Sequence, residues 1–177
     1  MATSMTMHHP RPGMNITLWI AQVLSGIFWS VTGFGKMLCF NQAVWNQTLP
    51  RVAWFSAIPK DLFIFIGICE FLGGVGLILP AMTGVKPKLT PFAALGLTLI
   101  MFLAAGFHIA RGEYISFLPL NLILAGASAF IAYGRSYIRP ITPTSLDVFR
   151  VLKGLAVLGA LIVVGYAPVW QMMAHTH

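Results

Sequence analysis

The sequence predicts an all-α, polytopic membrane helix bundle, and three observations predict it. The chain is 58% hydrophobic and only 8% charged, with a mean hydropathy of +0.82, whereas a soluble domain carries about a quarter charged residues. Its apolar residues fall in five stretches, each near the ~20 residues that a ~30 Å hydrocarbon layer requires. No stretch alternates polar and apolar residues as a half-buried strand would, and open sheet edges cannot face lipid.

The first span runs from about Ile16 to Leu38. It is too long for the apolar part of a signal peptide, contains Lys36, and precedes no A-x-A-like cleavage site, so it is read as a retained helix. The second runs from about Asp61 to Leu79 and is stopped by Pro80. The third, about Phe92 to Ala110, follows Pro91, and the fourth, about Leu118 to Tyr133, is the shortest. The fifth runs from about Ser145 to Trp170, with Thr144 as N-cap and Asp147 three residues on, a capping-box pattern. This divides the chain into an N-terminal cytoplasmic tail (1–14), a four-helix membrane domain (15–134), a basic cytoplasmic loop (135–150), and an additional transmembrane helix with a short outer tail (145–177).

Lys and Arg in the short loops set the orientation. One side receives Arg11, Lys86, Lys88, Arg135, Arg139, Arg150 and Lys153; the other receives Arg51, Lys60 and Arg111, with Lys36 close by. The N-terminus is therefore expected in the cytoplasm and the C-terminus outside, with the plasma membrane of a bacterium as the expected location. The net charge of +7 is then a topology signal plus attraction to anionic lipid. Nucleic acid is not an expected partner, because the basic residues flank spans and form no separate domain. The outer loop 41–60, with Trp45, Trp54, Phe55, Pro50 and Pro59, is either an interfacial aromatic belt or a lid over the outer mouth of the bundle.

Glu70 is one of only four acidic residues and lies in mid-span, where a charge costs roughly 2.5 to 3.5 kcal/mol even on translocon scales. It needs a partner, a proton or a water-filled cavity. The alternating helix directions place it roughly 13 Å below the outer end of its span. Lys36 ends the first span, His108 and Arg111 end the third, and Asn121 starts the fourth, all in the same outer half. The inner half offers no comparable set. Small residues share faces with these groups: Gly26, Ser30 and Gly33 lead to Lys36; Gly67 and Gly74 flank Glu70; Ala104 precedes His108; Ala125, Ser128 and Ala132 follow Asn121. A structural explanation stands beside each functional one. The stripes serve as packing surfaces, Lys36–Glu70 as a packing ion pair, His108 and Arg111 as a snorkelling pair, and Asn121 as a cap or interhelical bond. Jointly they point to a polar cavity.

No metal site, haem pair, Fe–S pattern, phosphate loop, Rossmann motif or hydrolase elbow is present in the sequence. Cys39 and Cys69 lie about 10 Å or more apart in depth and are not expected to bridge. His8–His9 and the terminal His175 and His177 read as tail residues. Any redox role must use a diffusible carrier such as quinone, or a partner's cofactor.

The segments Gly33-Phe-Gly-Lys36-Met-Leu38, Glu70-Phe-Leu-Gly-Gly-Val-Gly-Leu-Ile-Leu-Pro80, Thr83-Gly-Val85, Met101 to His108, Arg111-Gly-Glu113 and Asn121-Leu122, in that order, resemble the DoxX-like family of small membrane proteins. The resemblance covers about residues 16–134. It implies a four-helix core with the Lys, Glu and Asn side chains inside, and marks the fifth helix as an addition. The family takes its name from a membrane subunit of a thiosulfate:quinone oxidoreductase, which implies a link to membrane redox chemistry. Two function classes follow. In one, the outer-half cavity binds a quinone headgroup, with Lys36, His108 and Asn121 as donors and Glu70 supplying a proton. In the other, the chain is a non-catalytic accessory or assembly subunit, bound to a redox partner or to copies of itself.

Overall fold

The computed structural model describes residues 12–51, 53–145 and 147–174. The expectations for His8–His9 and for His175 and His177 fall outside these residues. Helix α1 spans Pro12–Leu38. A short helix α2, Gln42–Thr48, is capped by the Asn41 side chain accepting from the Ala43 N–H at 2.8 Å. Two 3₁₀ turns, Leu49–Arg51 and Ala53–Ala57, lead to α3, Lys60–Thr83. Then come α4 at Leu89–Ala110, α5 at Tyr114–Tyr133 with a π turn Gly134–Ile138, and α6 at Val148–Ala174. The described residues contain no strand. Among the described residues four segments are long and apolar enough to cross a membrane: Gly13–Leu38, Lys60–Thr83, Leu89–Ala110 and Ile115–Ile138. Their outward faces carry large exposed apolar side chains such as Phe65, Phe92, Leu99 and Leu103, the arrangement expected where the surrounding solvent is lipid.

Proline positions explain most departures from the predicted boundaries. Pro80 does not stop α3. The helix runs on to Thr83 and ends at Gly84, whose φ of 69° is open to glycine and whose N–H donates to Pro80 O at 3.0 Å. Helix α4 begins at Leu89, because Pro91 sits in the first turn, where a backbone N–H would lack a partner anyway. Helix α5 starts at Tyr114 and accommodates Pro119, so the span predicted as shortest is as long as its neighbours. Thr144 does not cap α6. Its N–H donates to Gly84 O at 3.0 Å and its hydroxyl to Thr83 O at 2.9 Å, covering carbonyls that the end of α3 leaves open. Asp147 caps α6 instead, accepting from the Phe149 N–H at 3.0 Å.

Helices α1 and α3 meet along glycines. A Cβ placed on Gly33 would stand 2.6 Å from Gly67 O, one on Gly67 would stand 2.5 Å from Lys36 Cβ, and one on Gly74 would stand 2.5 Å from Ser30 N. Only the missing side chains permit this approach. Trp29, Leu77, Leu97, Met101 and Ile131 fill the centre of the bundle, and a second cluster of Cys39, Trp45, Phe63 and Ile64 lies under the 41–59 segment. Helix α6 packs outside, against α1 and α3.

The half of the bundle around the start of α1, where the sequence offers no polar set comparable to the outer one, holds a buried polar network of its own. Arg135, assigned by the sequence reading to an exposed basic loop, is buried at 4% exposure. It donates to Gln22 Oε1 at 2.7 Å and to Asn15 Oδ1 at 3.2 Å, and its guanidinium lies 4.8 Å from the Trp19 ring centroid. Gln22 in turn donates to Leu77 O at 2.6 Å. The π turn continues α5 and carries Arg135 inward, which a count of loop charges cannot register.

Gly33→Ala and Gly67→Ala should each destabilise the protein by about 1–3 kcal/mol, the usual cost of forcing packed elements apart. Gly96→Ala, where a new Cβ meets nothing within 4 Å, should be neutral or stabilising by roughly 0.5–1 kcal/mol. Thermal melting of the detergent-solubilised variants measures both, and equal melting of all three would refute the glycine seam.

Candidate functional site

The glycine contact delivers the first pair of functional groups. Gly67 leaves room for the Lys36 stem, so the ammonium on the last turn of α1 crosses to mid-α3, and Lys36 Nζ donates directly to Glu70 Oε2. The Glu70 side chain is only 3% exposed and that of Lys36 18%. The two charges neutralise each other where either alone would be costly.

Beside them opens a cavity of about 580 Å³ between α1, α3, α4 and α5, within the size range of small-molecule sites. Lys36, Glu70, His108 and Asn121 line it, and no described residue of α6 does. Of the buried polar atoms without a partner among the described residues, two belong to its wall: Trp29 Nε1 and Asn121 Nδ2. These side chains are 2% and 8% exposed. Both atoms are donors, and a buried unmet donor carries a desolvation cost of about 1–3 kcal/mol. Apart from Thr32 and Cys69 the rest of the wall is apolar, and several of its members, including Leu62, Phe65, Leu103 and Leu120, are exposed on the outer faces of the helices. The space thus runs from the apolar surface of the bundle to a polar floor.

His108 stands apart from the Lys36–Glu70 pair, and its setting is built by the turn after α4. Gly112 takes a φ of 73°, the chain doubles back, and the Glu113 N–H donates to His108 O at 2.9 Å. The Glu113 carboxylate returns to the ring, with Oε2 2.9 Å from His108 Nδ1. Its other oxygen accepts from Arg111 Nε at 3.0 Å and Nη2 at 2.8 Å. These Arg111 bonds, and after them the bond to His108, hold the Glu113 carboxyl below the ordinary carboxylate range. The imidazole is stacked on Phe117 at 4.3 Å between centroids and meets Trp54 edge-on at 5.5 Å.

Arg111 is the sequence-selected residue that the structure keeps away from the cavity wall. It serves Glu113 and lies 5.5 Å from the Phe107 ring centroid, a third exposed. His108 and Arg111 are not a pair of independent snorkelling groups, since both bind the same carboxylate. In the 41–60 segment, Trp45 is buried against Phe63, whereas Trp54 lines the cavity. The sequence reading places Glu113 in a family segment without selecting it for the site, and it does not single out Trp29. The acidic residue one position after a post-helix glycine was the signal available for Glu113; Trp29 sits in an apolar run and carries no such mark. Cys39 and Cys69 are both free thiols. Among the described residues no three His, Cys, Asp or Glu side chains stand close enough to hold a metal ion.

A model of the DoxX-like family matches residues 20–131 of the chain. No curated protein and no solved structure matches it.

Removing one partner of the Lys36–Glu70 pair strands a charge. Lys36→Met and Glu70→Leu should each cost about 3–5 kcal/mol at most, scaled down for the partial exposure of the lysine, while the double variant K36M/E70L should lose far less. Melting curves of the four proteins form a double-mutant cycle, and additive losses would show that the two side chains do not interact.

Proposed function

We propose, from the premise that this chain belongs to the DoxX-like family, that it is a quinone-linked component of a membrane redox system whose helix bundle takes a carbonyl-bearing carrier headgroup into the cavity beside Lys36 and Glu70. The observation that carries this reading is the pair of buried, unmet donors, Trp29 Nε1 and Asn121 Nδ2, in the wall of that cavity. A quinone headgroup is apolar on its faces and presents only carbonyl acceptors at its edge. It therefore suits an aromatic and aliphatic wall with isolated donors. Lys36 adds a third donor, and Glu70 is a carboxyl able to exchange a proton at the same place. The exposed apolar rim suits a ligand that arrives from the bilayer with its tail left in lipid. The chain's own residues bind and orient the headgroup and keep bulk water from it; the electrons come from a partner's redox group.

The purified protein should yield quinone on organic extraction of the detergent-solubilised preparation, detected by its absorbance and mass. Asn121→Leu and Trp29→Phe should each weaken binding of added decylubiquinone roughly three- to tenfold, the worth of one hydrogen bond. A protein that extracts empty and binds no decylubiquinone is an accessory subunit in which Lys36–Glu70 serves packing alone.

The chain is further proposed to sit in the plasma membrane with its N-terminus cytoplasmic. Helix α6, 27 residues long, spans about 40 Å at the helical rise and completes an odd number of crossings. A reporter that works only in the cytoplasm should be silent when fused after the last residue and active when fused before the first; the reverse pattern inverts the topology.

A further inference from the structure

Resting on the quinone reading, we propose that His108, positioned by Glu113, makes the cavity distinguish the carbonyl form of its ligand from the hydroxyl form by a proton: the carbonyl form binds together with one H⁺ on His108, and the hydroxyl form binds to the neutral ring.

The geometry assigns the two ring nitrogens different tasks. Nδ1 lies 2.9 Å from Glu113 Oε2. An ionised carboxylate only accepts, so Nδ1 must carry a hydrogen and donate it. Glu113 is held ionised by Arg111, whose guanidinium engages the opposite carboxylate oxygen at 2.8 and 3.0 Å. The neutral ring is thereby fixed in the tautomer whose Nε2 carries a lone pair. Stacking on Phe117 and the edge contact with Trp54 fix the ring plane, and His108 is part of the cavity wall although only 5% exposed. In the neutral state Nε2, the ring nitrogen that Glu113 does not engage, is an acceptor. A quinone carbonyl finds no donor there; a quinol hydroxyl does. Protonation of the ring turns Nε2 into a donor and reverses the preference. No bond other than N–H and the hydrogen bond to the ligand is made or broken, and the proton comes from water.

The charged and titratable groups around the ring are few among the described residues. Glu113 and Arg111 face it from the turn. Lys36 on α1 and Glu70 on α3 share the cavity but are bonded to each other. The 53–59 segment contributes Trp54 and α5 contributes Phe117 and Asn121, none of which titrates in this range. His108 and Glu70 are thus the groups able to exchange a proton in this cavity, and loss of the pH slope in His108→Phe assigns the coupling to His108.

The test uses the whole purified protein in detergent, with decylubiquinone and decylubiquinol titrated separately at pH values from 5.5 to 8.5 and binding read by quenching of tryptophan fluorescence. Quinone affinity should fall as pH rises, by up to about tenfold per unit as linkage to one proton requires, while quinol affinity should hold or rise. His108→Phe, which keeps the stack on Phe117, should bind quinone weakly at every pH with no slope. Glu113→Gln should flatten the slope. Its amide can donate to Nδ1, and the neutral ring then presents Nε2–H to the carbonyl without an added proton. A quinone affinity equal at all pH values, or a slope that survives in His108→Phe, overturns the proposal, and an unchanged slope in Glu113→Gln removes Glu113 from it. Failure of both ligand forms to bind at any pH overturns the quinone reading itself, and this inference falls with it.

Discussion

Gly33 and Gly67 bring the backbones of α1 and α3 into contact, and Lys36 meets Glu70 because of it. The order of causes matters. A carboxylate in the middle of an apolar helix is tolerable only beside a counter-charge, and the counter-charge arrives on a side chain whose stem lies over a missing Cβ. Along the same seam, Gly74 receives the Ser30 backbone, so the two helices are in contact over several turns. The cavity lies between this pair of helices and α4 and α5, while Leu77, Leu97 and Met101 fill the bundle centre. Lys36 and Glu70 are thus held by helices alone, which gives precision at low entropic cost.

Two strategies for housing a charge in lipid coexist in the molecule. Lys36 and Glu70 cancel one another. Arg135, at the opposite end, has no carboxylate among its described hydrogen-bond partners and relies on neutral acceptors, Gln22 Oε1 and Asn15 Oδ1, together with the face of Trp19. Its position in the last turn of the α5 segment also sets it against the negative end of the helix. The first arrangement places charge beside a cavity; the second ties its charge to neutral groups of α1, with Arg135 Nη2 left without a partner among the described residues.

The turn after α4 shows how a helix terminus becomes chemistry. Gly112 in the left-handed region lets Glu113 close the helix with its N–H and, with its carboxylate, bind His108 and Arg111 at once. One residue thereby satisfies a backbone carbonyl, orients an imidazole and employs an arginine that would otherwise project into solvent.

Membrane class, the helical fold, the four core spans and the family were legible in the sequence, because hydropathy over some twenty residues is a local property and the bilayer leaves helices as the economical answer. The gathering of Lys36, Glu70, His108 and Asn121 in one half followed from span directions, since alternating crossings convert sequence position into depth. Depth alone says nothing of azimuth. Whether Arg111 faces the cavity, whether Arg135 turns inward, and whether Trp29 and Asn121 keep unmet donors all depend on helix rotation and on contacts between residues distant in the chain. Helix ends were decided the same way. Pro80 is passed over because Gly84 closes α3 one turn later, and Thr144, a cap by local rules, instead serves the carbonyls of Thr83 and Gly84 that the tertiary fold brings to it.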